Sequence, residues 1–315
     1  MSKKILFQFP GQGSQAVGMG TSLADAHPEA RAVFDEVNTA LGEDLFALMK
    51  DGPEDDLRLT RNAQPALFAA SMAAFAVLRQ ATGRDITDLA SFVAGHSLGE
   101  YSALAAAGAL SITDAARLLR LRGDSMQSAV PAGKGAMAAI LGAEEAIVEE
   151  IVSEAAATGV IQFANDNAPG QIVVSGGAEA VDQAIELAKA RGIRRAIKLP
   201  VRAPFHCSMM QPAAEAMAAA LADAEMQDAA VPVFCNVTAA LETRADMLRE
   251  NLVTQVTGKV RWRETLLAAE AADVSTFVEI GTGKVLSGLV KRTLADAVIV
   301  NLDNAGDLDS VVAEL

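Results

Sequence analysis

Short apolar runs of strand length alternate with longer helical patterns along most of this chain, and that alternation limits its fold most strongly. Apolar runs at residues 5–9 and 91–95 are separated by helical patterns at residues 28–41 and 62–81. Apolar strands joined by helices are typical of a parallel α/β sheet. The alternation resumes late in the chain, with strands predicted at residues 231–235, 276–280 and 298–300 and helices near 246–256, 262–272 and 284–292.

A different order of elements occupies the middle of the chain. The patterns follow one another as βαββαβ, with strands at residues 136–141, 160–164, 171–175 and 193–199 and helices at 144–157 and 179–190. This order is that of a ferredoxin-like unit. We therefore expect a ferredoxin-like subdomain at residues 130–202, inserted into a larger α/β domain made of residues 1–129 and 203–315. One continuous sheet is the alternative.

The composition of the chain limits its expected partners and its expected location in the cell. Its net charge of -14 disfavours nucleic acid and anionic membranes as partners. No apolar stretch reaches the roughly 18 residues that suggest a membrane span, and the run at residues 5–9 is too short for a signal peptide. The two cysteines, Cys207 and Cys235, provide neither a disulfide framework nor a zinc site, which favours a cytoplasmic location.

The segment Gly95-His96-Ser97-Leu98-Gly99 joins a predicted strand to an alanine-rich helix. Glycines two residues before and after a serine permit the sharp turn of a nucleophile elbow. The start of the helix would also stabilise negative charge near the serine oxygen. Ser97 is therefore the candidate nucleophile, and a glycine-rich turn without chemistry is the alternative.

A serine hydroxyl needs a base, and histidine is the usual one near neutral pH. His27 lies in a polar segment before Pro28, and His96 is expected to point away from the hydroxyl of its neighbour Ser97. His206, which follows the second linker, remains as the candidate base.

The oxyanion formed on attack needs two hydrogen-bond donors. The N–H of Leu98 is one candidate. The other is the N–H of Gln12, in the glycine-rich loop 9–15 that follows the first strand.

A carboxylate on the substrate would call for a buried arginine, which can bind both of its oxygens. A helix predicted at residues 113–122, capped by Ser111 and ending before Gly123, offers Arg117, Arg120 and Arg122. The residues alone do not choose among these three arginines.

Six ordered blocks of sequence carry a family resemblance, at residues 9–15, 95–101, 121–123 with 126–127, 167–171 with 173–176, 205–207 and 279–286. Together they resemble one family, the bacterial malonyl-CoA:acyl-carrier-protein transacylases. The resemblance covers nearly the whole chain. It implies an α/β-hydrolase-like domain with a ferredoxin-like subdomain, malonyl-CoA as the substrate, acyl carrier protein as the partner and no tightly bound cofactor or metal.

Roles follow from the resemblance for individual residues. It implies that Ser97 is the nucleophile, His206 the base and Arg122 the carboxylate-binding residue, with Gln12 and Leu98 as the oxyanion donors. The backbone carbonyl of Gln255 would orient the histidine, which makes the site a Ser-His dyad. Phe205 resembles the residue at this place in related polyketide acyltransferases that prefer malonyl.

Carrier proteins are acidic, so their docking to this acidic chain requires local positive charge. Five basic residues near the end of the expected insertion are the candidate patch: Arg191, Arg194, Arg195, Lys198 and Arg202. A solvated turn and edge strand explain them equally well.

Three other functions remain as alternatives: a discrete acyltransferase of polyketide synthesis, a serine esterase or thioesterase, and a carrier-protein docking module without activity. The α/β-hydrolases place their histidine near the C-terminus, but no histidine follows His206 in this chain.

Overall fold

The structure, a computed structural model, describes residues 3–201 and 203–315. Within these residues ten strands form two separate sheets. The strands are β1 Lys4–Phe9, β2 Phe92–Gly95, β3 Gly135–Leu141, β4 Ile161–Ala168, β5 Gln171–Gly177, β6 Arg195–Lys198, β7 Val233–Phe234, β8 Leu241–Glu242, β9 Val274–Ile280 and β10 Val298–Leu302. The alternative of one continuous sheet is wrong.

The larger sheet has the strand order β10-β9-β1-β2-β7-β8. All its strands run parallel except β8, which is antiparallel to β7 and was not predicted. The central strand β1 contributes to cores on both faces, with Phe7 in one and Leu6 in the other. Burial on both sides explains why the consecutive residues 5–7 of this strand are all apolar. The parallel α/β sheet expected from the alternation is therefore confirmed.

Fifteen α-helices accompany the two sheets in the part of the chain that the structure describes. They are α1 Thr21–Ala26, α2 Pro28–Leu41, α3 Leu45–Asp51, α4 Glu54–Leu57, α5 Thr60–Thr82, α6 Ile86–Leu89, α7 Gly99–Ala106, α8 Ile112–Ser128, α9 Glu145–Ala155, α10 Ala178–Ala190, α11 Gln211–Asp223, α12 Ala245–Thr257, α13 Trp262–Ala271, α14 Val285–Thr293 and α15 Leu308–Glu314.

Helix α8 corrects one expectation. Ser111 caps its start as predicted, since the Oγ atom accepts a hydrogen bond from the N–H of Asp114 at 3.0 Å. The helix does not end at Arg122 but continues to Ser128. Gly123 is an interior residue that lets α8 approach α5, because a Cβ at this position would lie 2.6 Å from the Cα of Arg61. Arg122 is therefore held in the middle of a rigid helix.

The smaller sheet is antiparallel, with the strand order β4-β5-β3-β6. Together with α9 and α10 it has its own hydrophobic core, which includes Ile140, Ile151 and Val181. Strand β4 also touches the larger unit, because Asp166 N–H donates to the Val260 carbonyl at 2.9 Å and Val260 N–H donates to that of Ala164 at 2.8 Å. A second, antiparallel sheet is therefore confirmed.

Across residues 3–201 and 203–315, every helix is too short or too polar to span a membrane.

Candidate active site

Ser97 lies at the turn between β2 and α7. Its φ is 53°, in the left-handed region that residues other than glycine rarely adopt. Gly95 and Gly99 make this turn possible. A Cβ on Gly95 would collide with the Gly99 carbonyl oxygen, and a Cβ on Gly99 would collide with that of Phe9. The Gly-x-Ser-x-Gly spacing thus reflects close backbone packing around the serine.

Two amide side chains hold the backbone of this turn. Asn236 accepts a hydrogen bond from Ser97 N–H through Oδ1 at 2.7 Å and donates to the Gly95 carbonyl through Nδ2 at 2.7 Å. Gln255 donates to the Ser97 carbonyl through Nε2 at 3.0 Å. These bonds offset the strain of the left-handed conformation, which is of order 1–3 kcal/mol.

His206 approaches the serine from the loop that precedes α11. Its Nε2 atom lies 2.8 Å from Ser97 Oγ, and its Nδ1 atom lies 2.9 Å from the Gln255 carbonyl oxygen. A carbonyl can only accept, so Nδ1 carries the proton and Nε2 is free to accept one from the serine. Burial, followed by the charge of Arg122, lowers the pKa of His206 to about 3. The imidazole is therefore neutral at physiological pH.

Of the other two histidines, both among the described residues, neither hydrogen-bonds Ser97. The Nε2 atom of His96 lies 2.8 Å from Asn167 Oδ1, and its ring packs against Trp262. His27 lies beside Glu29 at the start of α2.

Arg122 is 1% exposed and extends from α8 to the serine. Its Nη2 atom donates to Ser97 Oγ at 3.1 Å and to Gln255 Oε1 at 2.8 Å, while Nη1 donates to Gln64 Oε1 at 2.9 Å. Nε has no partner, and no carboxylate forms a salt bridge with the guanidinium within residues 3–201 and 203–315. Burial lowers the pKa of Arg122, but an arginine stays charged in proteins. The site thus holds a buried cation whose direct partners are neutral.

The loop after β1 forms another wall of the site. Gly11 lets this loop approach the serine turn, because a Cβ there would lie 2.6 Å from the His96 carbonyl oxygen. Within the described residues, neither Gln12 N–H nor Leu98 N–H donates a hydrogen bond. Gln12 also borders the active-site cavity, whereas Leu98 is buried and is not among its lining residues.

These side chains border a cavity of about 430 Å³. Its polar lining includes Ser97, His206, Arg122 and Gln12, and its apolar lining comprises Met126, Met137, Leu199, Pro200, Val201 and Phe205. A pocket with a few convergent polar groups in an apolar wall is typical of a small-molecule site. Nowhere among the residues described do three His, Cys, Asp or Glu side chains gather as they would around a metal ion.

Two residues that hold the site together were missed in the sequence. Gln64 in α5 and Asn236 after β7 contact Arg122 and Ser97 from far along the chain. Asn236 directly follows the strand predicted at residues 231–235, and a polar residue at the carboxyl end of a parallel strand is a signal that could have marked it.

A parallel α/β sheet that presents a serine on a strand-to-helix turn, beside a neutral histidine and facing a cavity, is the arrangement typical of enzymes with a serine nucleophile. Residues 6–309 match the family described as acyl transferase domain. The chain belongs to this family, and the resemblance inferred from its motifs is confirmed.

Named relatives agree with this assignment. The chain is 48% identical to the malonyl CoA-acyl carrier protein transacylase of Bacillus subtilis, over 92% of this chain and 90% of that protein. The crystal structure of an acyl-carrier-protein S-malonyltransferase from Bartonella henselae is 49% identical, with a TM-score of 0.97 over 99% of both chains. A malonyl-transacylase in complex with a type II polyketide acyl carrier protein is 40% identical, with a TM-score of 0.95 over 99% of this chain and 100% of that one.

Proposed function

We propose that the protein transfers the malonyl group of malonyl-CoA to the phosphopantetheine thiol of acyl carrier protein, through a malonyl ester of Ser97. Relatives at 48% and 49% identity carry the names of this activity. The observation that carries the proposal is at Ser97 Oγ, which lies 2.8 Å from His206 Nε2 and 3.1 Å from Arg122 Nη2. Ser97 Oγ thus lies within hydrogen-bonding distance of both a base and a cation that can bind a carboxylate.

In the first half-reaction, His206 Nε2 takes the proton of Ser97 as Oγ attacks the thioester carbonyl. The N–H groups of Gln12 and Leu98 stabilise the oxyanion, each worth about 2.7–4 kcal/mol in comparable sites. The C–S bond then breaks, and His206 gives the proton taken from Ser97 to the departing thiolate of coenzyme A.

In the second half-reaction, His206 takes the proton of the phosphopantetheine thiol, whose sulfur attacks the malonyl ester. The ester C–O bond breaks and Ser97 recovers its proton from His206. The Gln255 carbonyl holds the imidazole in the required tautomer throughout, so the machinery is a Ser-His dyad.

Incubation with malonyl-CoA alone tests this proposal. A stable malonyl adduct on Ser97, discharged by carrier protein, supports transfer. Rapid release of free malonate would indicate an esterase or thioesterase, and absence of an adduct would indicate a docking module.

Arg122→Ala is expected to slow malonyl transfer by about 10- to 150-fold, which corresponds to the roughly 1.5–3 kcal/mol of a charged hydrogen bond. Acetyl transfer should suffer less, because acetyl has no carboxylate. The measurement is kcat/KM for malonyl-CoA and acetyl-CoA with the same carrier protein. Equal loss of both activities would remove Arg122 as the carboxylate-binding residue.

Phe205, in the cavity wall, is proposed to limit the size of the acyl group.

The identity of the carrier is a second question. The relative bound to a polyketide carrier protein supports a discrete polyketide acyltransferase as the second candidate function. Transfer rates to purified fatty acid and polyketide carriers, measured side by side, distinguish the two. The free, buried Cys207 and Cys235 support the proposal that the protein works in the cytoplasm.

We also propose a fold type for each of the two units. The order β4-β5-β3-β6, with elements arranged βαββαβ along the chain, supports a ferredoxin-like subdomain at residues 130–202. The parallel sheet and serine turn support an α/β-hydrolase-like catalytic domain at residues 1–129 and 203–315. Residues 1, 2 and 202 lie outside the described part of the chain.

The basic residues of the smaller unit are proposed to dock the acidic carrier protein. Arg191 pairs with Glu154 and Lys198 with Asp182, whereas Arg194 and Arg195 are exposed and form no salt bridge within the described residues. The fifth residue of the candidate patch, Arg202, lies outside the described residues. Arg194 and Arg195 are therefore the best test of the patch.

Reversing both charges, with Arg194→Glu and Arg195→Glu, is expected to raise KM for carrier protein about tenfold and leave acylation by malonyl-CoA unchanged, because only docking depends on the patch. Lys291→Glu with Arg292→Glu, an adjacent exposed pair at the end of α14, changes the net charge equally and is the control. The same KM for carrier protein in both double variants would reject a docking role for Arg194 and Arg195.

A further inference from the structure

Glu100 is a buried acidic residue next to the site that the steps above do not use. It lies in the first turn of α7, three residues after Ser97, and is 1% exposed. Its Oε2 atom accepts hydrogen bonds from Gln255 Nε2 at 2.6 Å and from Asn236 N–H at 3.2 Å. These are the two residues whose side chains hold the backbone of Ser97.

The side chain of Gln255 lies between Glu100 and Arg122. Its Nε2 atom faces Glu100, and its Oε1 atom accepts from Arg122 Nη2 at 2.8 Å. The same Nη2 atom donates to Ser97 Oγ at 3.1 Å. The position of the guanidinium beside the serine therefore depends on which way the Gln255 amide points.

The chemistry of the two neighbours decides that orientation. An ionised carboxylate can only accept hydrogen bonds and a guanidinium can only donate them. A flipped amide would turn its NH₂ group toward Arg122 and its oxygen toward Glu100 and the Ser97 carbonyl, which loses the bonds to all three. The amide dipole is thus fixed between a buried anion and a buried cation.

We propose that Glu100 is a positioning residue that fixes the Gln255 amide and, through it, holds the Arg122 guanidinium where the malonyl carboxylate binds. This rests on the proposed function, because it assigns selectivity for malonyl over acetyl to a residue that touches neither group. Its effect on selectivity passes through Gln255 to Arg122.

The electrostatic setting of Glu100 gives the proposal a second readout. Burial raises the pKa of Glu100 to about 7, against the opposing effects of Gln255, Asn236 and Arg122. The other ionisable groups around it are Tyr101 and Cys235, whose pKa values burial raises. A protonated Glu100 can also donate a hydrogen bond and accepts less strongly from the Gln255 amide, which is then held only by Arg122 and the Ser97 carbonyl. Malonyl selectivity should therefore fall as the pH drops through 7.

The test compares kcat/KM for malonyl-CoA and acetyl-CoA in the wild-type protein and in Glu100→Gln, which keeps the size of the side chain. We expect the malonyl-to-acetyl ratio to fall about tenfold in the variant at pH 8. In the wild type the ratio should fall between pH 8 and pH 6, and in the variant it should be flat.

Glu279→Gln is the matched control. Glu279 is also a fully buried glutamate, but its oxygens accept from the N–H groups of Leu286 and Ser287 at the start of α14. Its replacement should change stability without changing the ratio.

An unchanged ratio in Glu100→Gln would overturn the proposal, as would an equal loss of malonyl and acetyl transfer. If the variant does not fold, the proposal is tested by the malonyl-to-acetyl ratio of the wild-type protein. A wild-type ratio that does not change between pH 6 and pH 8 overturns the proposal. Arg122→Ala separates this result from the proposed function. A loss of selectivity in Arg122→Ala without one in Glu100→Gln would reject Glu100 alone.

Discussion

Ser97→Ala is expected to abolish the malonyl-enzyme adduct and to lower malonyl transfer by about 10⁴-fold or more, as for other activated serine nucleophiles. His206 Nε2 and Arg122 Nη2 both bond the single atom that the change removes. Alanine keeps the Cβ, so the backbone bonds from Asn236 and Gln255 remain. Intact-protein mass spectrometry after incubation with malonyl-CoA measures the adduct, and a radioactive malonyl assay measures transfer.

Ser102→Ala is the control for this change. Ser102 is also buried in α7, and its Oγ has no partner among the residues described. It should form the adduct at the wild-type rate. A malonyl adduct that persisted in Ser97→Ala would place the nucleophile elsewhere.

His206→Ala is expected to slow acylation of Ser97 by about 10²- to 10⁴-fold, the usual contribution of a positioned base. The reason is that no other histidine reaches the serine. His27→Ala, at a partly exposed position, is the control and should retain full activity.

The pH dependence gives a second readout of the same residue. A base works only when neutral, so its contribution is lost as the pH falls through its pKa. Because burial lowers the pKa of His206 to about 3, acylation by an uncharged serine reagent should be nearly flat from pH 8 to pH 5. A loss of acylation centred near pH 6.5, the ordinary value for histidine, would contradict a neutral buried His206.

Local patterns predicted the elements that build the site. The alternation of apolar runs gave the parallel sheet, and Gly95 and Gly99 marked the turn at Ser97 because their backbones must pack closely. With only three histidines in the chain, His206 could be selected by elimination. The strand pattern and the serine turn depend on residues that are neighbours in the sequence, and the choice of His206 depends on the number of histidines. A sequence provides both directly.

Helical periodicity is a signal, not used in the sequence analysis, that could have indicated which of the three arginines of α8 is buried. Arg122 lies three and four residues beyond the buried Leu119 and Leu118, so it shares their face. Arg117 instead donates to the Ala40 carbonyl, and Arg120 pairs with Glu43. What misled the interpretation was Gly123, which resembled a helix end but serves the contact between α8 and α5.

Contacts between distant segments could not be predicted in this way. Glu100, Asn236 and Gln255 come together across 136 and 155 positions of sequence separation. Their side chains are ordinary polar groups in helices and turns until the fold brings them together. The short strand β8 could not be predicted either, because only its pairing with β7 makes it a strand.

The left-handed backbone at Ser97 has a consequence for engineering this enzyme. Glycine adopts that conformation without strain, so position 97 is one where loss of the side chain can increase thermal stability. A library of variants selected for heat resistance alone would therefore enrich inactive proteins at this position. Directed evolution of the chain should couple every stability screen to an assay for turnover.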